Sequence, residues 1–324
     1  MKLRSLTPLL VVLMAPIVGC TKDDNKNTST SDGSGGGAWA VGEDATMVRL
    51  NPAGDVWYYP LEIEGDLLAI ACKGQETGMA VGEDGVVLRT DDSGESWTQI
   101  DVGTRARLRS VIFSGTTPAY IAGDGIVLRS DDDGRSFTPV PDAEGDFTAV
   151  TTTAKGTLAW LTTASGQIWQ LDGETLTPVF TTSEGPLSGI AATPDGGSVV
   201  AVGAGGLVLR SDDGGAKWAS VTTPTSRDLH AVRISRTADL VVAVGAAGVV
   251  LRLDDELGAS AEELLEPGLA LRALHLSIDG HGHAVGDHGV VVHSNDAGLA
   301  WEALDLGLEE ALFGLDDLHG EAHL

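Results

Sequence analysis

Apolar residues in this chain come in short runs separated by turns rich in Gly and Asp. Residues 66–104 show the pattern. Leu67-Leu68-Ala69-Ile70 is followed by Gly78-Met79-Ala80-Val81-Gly82, then by the turn Glu83-Asp84-Gly85. Val86-Val87-Leu88-Arg89-Thr90 comes next, then a polar stretch through Gly94 and a last run, Ser96 to Ile100. Runs of this length, bounded by Gly and Asp, predict four short β-strands, and the Gly-Glu-Asp-Gly link has the size of a tight hairpin. Helical composition interrupts the pattern only at residues 259–266, where Ala, Glu and Leu predict one or two helical turns.

The pattern repeats. Ala-Val-Gly begins at Ala40, Ala80, Ala201, Ala243 and Ala284, with Ile121-Ala122-Gly123 as a variant and Ala159-Trp160-Leu161 as a degenerate copy. Seven units of about forty residues mark a repeat architecture, and four strands per unit predict an all-β, seven-bladed β-propeller of four-stranded antiparallel blades. The first strand of each unit reads Leu-x-small-aliphatic, with Ala69, Ser110, Ala149, Gly189, Ala231 and Ala273 at the small position. Blades crowd together at a propeller axis, which demands small residues there. The first unit lacks this strand and starts at Ala38-Trp39-Ala40-Val41, whereas Leu312-Phe313-Gly314-Leu315 near the C-terminus supplies it. The C-terminal strand is therefore expected to complete the first blade and close the ring, leaving no open sheet edge there.

The N-terminal residues read as an export signal. Lys2 and Arg4 precede an apolar stretch, Leu9 to Val18, that is short for a bilayer span. Ile17-Val18-Gly19-Cys20 resembles the bacterial lipobox, which implies cleavage of residues 1–19 and lipidation of Cys20. Residues 20–37 are polar and Gly-rich and read as a flexible tether, with the propeller over residues 38–324. Thr21 follows the cysteine where an Asp would signal inner-membrane retention, so the expected location is the outer membrane or cell surface. Use of Cys20 in an anchor leaves no pair for an intramolecular disulfide, and Cys72, in an apolar run, reads as a buried, inert thiol. The formal charge of −27 excludes non-specific nucleic-acid binding and adsorption to an anionic membrane surface.

A second signature lies between the third and fourth strands: Ser/Thr-x-Asp-x-Gly-x-x-Trp/Phe. It reads Thr90, Asp92, Gly94, Trp97, then Ser130, Asp132, Gly134, Phe137, then Ser211, Asp213, Gly215, Trp218, and finally Ser294, Asp296, Gly298, Trp301. The first, fourth and sixth units carry worn copies around Trp57, Asp172 and Asp255. The motif resembles the Asp-box, or BNR repeat, of sialidases and other secreted propellers. Its chemistry reads as structural: the carboxylate accepts hydrogen bonds from turn amides, glycine adopts a backbone shape others disfavour, and the aromatic covers the turn. Arg49, Arg89, Arg129, Arg210 and Arg252 end the third strand in five units, and are expected to pair with adjacent Asp-box acids. With these arginines the repeat resembles that of the photosystem II stability/assembly factor-like family over about residues 38–315. That resemblance implies a non-enzymatic scaffold for other proteins, and it carries no photosynthetic role with it.

Candidate chemistry is sparse. A sialidase needs an arginine triad and a Tyr-Glu pair; this chain offers Tyr59 near Glu62, and no Arg-x-Pro in its first unit. No cofactor is expected. His281 and His283, spaced to share one side of a strand in a His-rich last unit, are weak metal candidates. The variable second residue of each inner strand (Leu68, Arg109, Thr148, Ser188, His230, Arg272 and Phe313) is expected at the axial mouth. Arg105, Arg107, Arg109, His230 and Arg272 are the candidate contacts for an anionic group of a partner. The resulting expectation is a monomeric, lipid-anchored scaffold that binds an envelope or surface protein. A carbohydrate-binding protein or glycosidase of sialidase-like fold is the alternative.

Overall fold

The computed structural model describes residues 38–50, 56–255, 258–277, 280–304 and 306–317. Cys20, the tether at residues 20–37 and the tail after residue 317 lie outside the described residues. Within them the chain forms seven four-stranded antiparallel sheets. Blade 2 is representative: Leu67–Lys73, Thr77–Gly82, Val87–Thr90 and Thr98–Gln99, paired in chain order from the inside out. The other inner strands are Leu108–Phe113, Phe147–Thr152, Leu187–Ala192, Leu229–Ile234 and Leu271–Leu276, in blades 3 to 7, and each packs beside the next. Blade 1 has Leu312–Asp317 innermost, paired with Ala38–Gly42. The C-terminal strand thus closes the ring as its Leu-Phe-Gly-Leu pattern anticipates.

The core is divided among the blade interfaces. Seven apolar clusters of described residues lie one between each pair of neighbouring blades. Successive residues of one strand serve different clusters. Val86 and Leu88 join Trp39 and Met47 of blade 1, whereas Val87 joins Leu108 and Ile121 of blade 3. This is why third strands are apolar on both faces. Burying one such valine or leucine contributes about 1.5–3 kcal/mol, and a blade alone has no partner on either face to gain it.

A β-bulge recurs in every blade. Leu67 pairs with Gly82 and Ala69 with Val81, so Leu68 is skipped. Arg109, Thr148, Ser188, His230, Arg272 and Phe313 are skipped in the same way. The bulge explains the glycine of Ala-Val-Gly. A Cβ on Gly42, Gly245 or Gly286 would sit 1.9 Å from the carbonyl oxygen of Ala311, Asp228 or Ala270, just before the inner strand, and one on Gly82 would sit 2.2 Å from that of Asp66. The bulged backbone occupies the space of a side chain.

Two sequence expectations need correction. In blade 4, Leu161 pairs with Val150 and Thr163 with Phe147, so the counterpart of Ala-Val-Gly is Leu161-Thr162-Thr163, two residues beyond Ala159-Trp160-Leu161. The apolar Trp160 aligns instead with Trp39 and Met79, one place before the motif. Residues 259–266 are not helical: Gly258–Glu263 is the outer strand of blade 6, paired along Val249–Asp254. Pairing with an otherwise open sheet edge satisfies its backbone groups and overrides the weak local preference for helix.

Candidate functional site

Because bulges re-aim side chains, the seven skipped residues all line an axial channel of about 610 Å³. Three carry polar nitrogen groups. Arg109 donates from Nε and Nη2 to the carboxylate of Asp124 at 2.6 and 3.1 Å. Arg272 does the same to Asp287 at 2.8 and 3.4 Å. Both acids lie in the turn between the second and third strands of the same blade, and each is fifteen residues past its arginine. That fixed spacing was the sequence signal for the pair, and it was missed. His230 stands on the blade before Arg272; burial, and next the Arg272 charge, push its imidazole below the usual histidine value. The channel thus brings together three of the five candidate contacts. Arg105 is exposed, and Arg107 pairs with Glu83 at 3.5 Å; both belong to the connection between blades 2 and 3 and neither lines the channel. The two channel arginines are oriented and partly neutralised by their acids, which makes them directional donors to an anionic group.

The Asp-box turns close on themselves. Thr90 Oγ1 donates to Asp92 at 2.7 Å and accepts the Gly94 amide at 3.0 Å, while Asp92 accepts the amide and hydroxyl of Ser96 at 2.9 and 2.6 Å. Ser130 and Asp132 repeat this with Gly134 and Ser136. Asp213 accepts the Lys217 amide and Asp296 the Ala300 amide, at 2.8 and 2.9 Å. The glycines are left-handed, with φ of 82° at Gly94 and Gly134, 87° at Gly215 and 80° at Gly298. They also abut the previous blade: a Cβ on Gly94 would lie 2.2 Å from Trp39, and one on Gly215 2.5 Å from Trp160. Trp97 meets Trp39 edge-on at 5.7 Å. Trp218 and Trp301 each donate from Nε1 to the box glycine's carbonyl, at 3.0 and 3.2 Å, and Phe137 packs at the interface of blades 2 and 3.

The third-strand arginines clamp blades together. Arg89, Arg129, Arg210 and Arg252 pair with Asp91, Asp131, Asp212 and Asp254. In the box-bearing blades these acids precede the box Asp, so the expected pairing is shifted by one residue; the box carboxylate is already occupied by turn amides and hydroxyls. Each guanidinium also reaches a carbonyl of the next blade: Asp133, Gly173, Ala238 and Ala297 respectively. Arg49 instead lies over the Trp39 ring at 6.0 Å.

The box acids make a pH prediction. Hydrogen bonds from Ser96 and Thr90 hold Asp92 at about 2, and those led by the Ser136 hydroxyl hold Asp132 at about 2. An unfolded Asp titrates near ~3.9. The folded value is the lower one, so the contribution is full above about pH 4 and is lost as pH falls toward about 2. Wild-type melting temperature should drop across that window. An Asp92→Asn, Asp132→Asn double variant should start lower and fall less; an unchanged slope would show that other groups drive the loss. Each site's share is small, because the carboxylates lie near solvent.

The remaining candidates lie away from the channel. The Tyr59 ring packs tilted against Trp39, centroids 4.6 Å apart, in the interface of blades 1 and 2. His281 Nδ1 is 2.8 Å from Asn295 Oδ1, and the His283 ring lies 6.5 Å from that of His293. Among the described residues, no three His, Cys, Asp or Glu side chains converge as a metal site.

Comparison with known proteins agrees with this geometry. A YCF48 structure bound to a D1 peptide matches with a TM-score of 0.59 and 20% identity, over 73% of this chain and 80% of that one. YCF48 from Cyanidioschyzon merolae matches with a TM-score of 0.61 and 21% identity, over 78% and 88%. At these identities the likeness concerns the fold. No curated protein sequence matches. The family profile described as photosynthesis system II assembly factor YCF48 covers residues 55–311. Spanning most of the propeller, that match places the chain in the photosynthesis system II assembly factor YCF48 family.

Proposed function

We propose that this protein is a non-enzymatic scaffold of the bacterial envelope, tethered through a lipid on Cys20, that holds or helps assemble another protein. Family membership and a YCF48 structure with a peptide bound support a protein partner. The observation that carries the reading is the ring of bulged residues. Nearly every recurrent position in the repeat is used to build or join blades, whereas the bulge places a different side chain from each blade in one channel. Arg109 and Arg272, held by Asp124 and Asp287, offer directed donors there to a carboxylate of the partner.

The test is capture from native membranes by the full-length protein. Arg109→Gln with Arg272→Gln should lower recovery of the wild-type partner about tenfold, as expected when an anchoring contact of about 1.4 kcal/mol is lost. Arg105→Gln with Arg107→Gln measures the share of the neighbouring loop. Wild-type recovery by both double variants, each with wild-type melting, would remove the basic residues from the binding role. Cys20→Ala should move the protein from the membrane to the soluble fraction.

A further inference from the structure

Below the mouth, the fifth residue of each inner strand marks a second level of the channel. Blades 2 to 5 place Ala71, Ile112, Thr151 and Ala191 there, and blades 6 and 1 place Arg233 and Asp316, whereas the equivalent His275 of blade 7 is buried beside the channel. Asp316 is engaged: it accepts the Cys72 amide at 2.8 Å and lies 3.0 Å from His275 Nδ1. Arg233 is different. Among the described residues it forms no ion pair, and its hydrogen bond is one from Nη1 to the Val232 carbonyl at 3.2 Å. Burial lowers its pKa, with Asp316 acting the other way from a distance.

Arg233 is partly exposed, and a guanidinium that faces a channel without a close counter-ion favours an anion entering it. Arg233 has most of its donors unused and lines a channel of about 610 Å³, within the usual size range for small-ligand sites. Its planar fork matches a carboxylate in a two-point contact. Asp316, on the same level, disfavours a second negative charge nearby. Ile112 on that level, and Leu68 and Phe313 toward the mouth, line the channel as partly buried apolar surfaces. We infer that the channel is a binding site for a small organic monocarboxylate, its anionic end on Arg233 and its apolar body toward Ile112, Leu68 and Phe313. This site shares the channel and two apolar mouth residues with the partner-binding reading, but its anion contact is Arg233 and not Arg109 or Arg272.

Benzoate is a suitable probe, titrated calorimetrically into the full-length protein in detergent, with inorganic phosphate and benzylamine as controls. Saturable binding of benzoate is expected, with both controls at least about tenfold weaker. Arg233→Gln should weaken benzoate binding at least about tenfold, whereas Arg236→Gln, at the exposed rim, should change it less than about twofold. Absence of saturable benzoate binding, equal binding by Arg233→Gln, or phosphate binding as tight as benzoate would each overturn the inference. Should Arg233→Gln fail to fold, arginine side-chain NMR of the wild type decides: the Arg233 resonance, assigned by its loss in Arg233→Lys, must shift with benzoate, and a stationary resonance overturns the site. Partner capture by a folded Arg233→Gln should remain at the wild-type level, which separates this site from the mouth.

Discussion

Gly286→Ala should be among the most damaging single-methyl additions in the molecule. The new Cβ would lie 1.9 Å from the Ala270 carbonyl oxygen, the same atom that accepts the Asp287 amide at 3.0 Å. Gly286 has extended backbone, with φ of −170°, so the penalty is one of space alone. Relief requires moving the bulge of blade 7, and with it Arg272. Overpacking of this kind is expected to cost about 3 kcal/mol. Gly173→Ala is the control: its φ of 63° is left-handed but no atom lies within 4 Å of the added methyl, so about 1 kcal/mol is expected. Denaturant unfolding of both variants measures the difference. If Gly286→Ala is as mild as Gly173→Ala, the bulge does not need the glycine.

Asp316→Ala should open the ring at its closure. Asp316 sits on the C-terminal strand, between His275 of blade 7 and Cys72 of blade 2, and is 4% exposed. Its removal takes an acceptor from the Cys72 amide and a carboxylate from beside His275. Losing a buried acceptor shared by two groups is expected to cost about 3 kcal/mol. Hydrogen exchange locates the effect. Amides of Ala38–Gly42, paired to the C-terminal strand, should lose more protection than those of Leu158–Thr163 across the ring. Asp316→Asn keeps one acceptor oxygen and should fall between. A wild-type melting temperature in Asp316→Ala would show that strand pairing alone closes the ring.

These variants separate what a local pattern announces from what assembly adds. Period, strand number and closure were legible because the blades repeat the same local devices: a small residue at the crowded axis in all seven, and in four of them an Asp-box turn with a left-handed glycine. The Asp-box residues were assigned from spacing alone, and their hydrogen bonds follow that spacing, since a turn's donors and acceptor lie within four residues. Blade 4 was misaligned because its hairpin lacks the glycine, and Trp160 stands one place before the motif, where other blades hold Trp39 or Met79. Residues 259–266 were misread because the strand character of Gly258–Glu263 comes from a neighbour's edge, which composition does not record.

The channel was legible only in part. Seven variable positions were correctly placed along the axis, yet Arg105 and Arg107 were grouped with Arg109 by nearness in sequence, and Asp124, Asp287 and Arg233 were overlooked. By itself the chain determined that identical units would stack and that its last strand would complete the first, because hydrophobic periodicity and turn chemistry are local and were written seven times. Which side chains share the channel, and which charge is left without a counter-ion, was decided only when closure brought residues some forty positions apart to one axis. Coulombic and steric neighbours follow distance in space, and a ring makes that distance short where the chain makes it long.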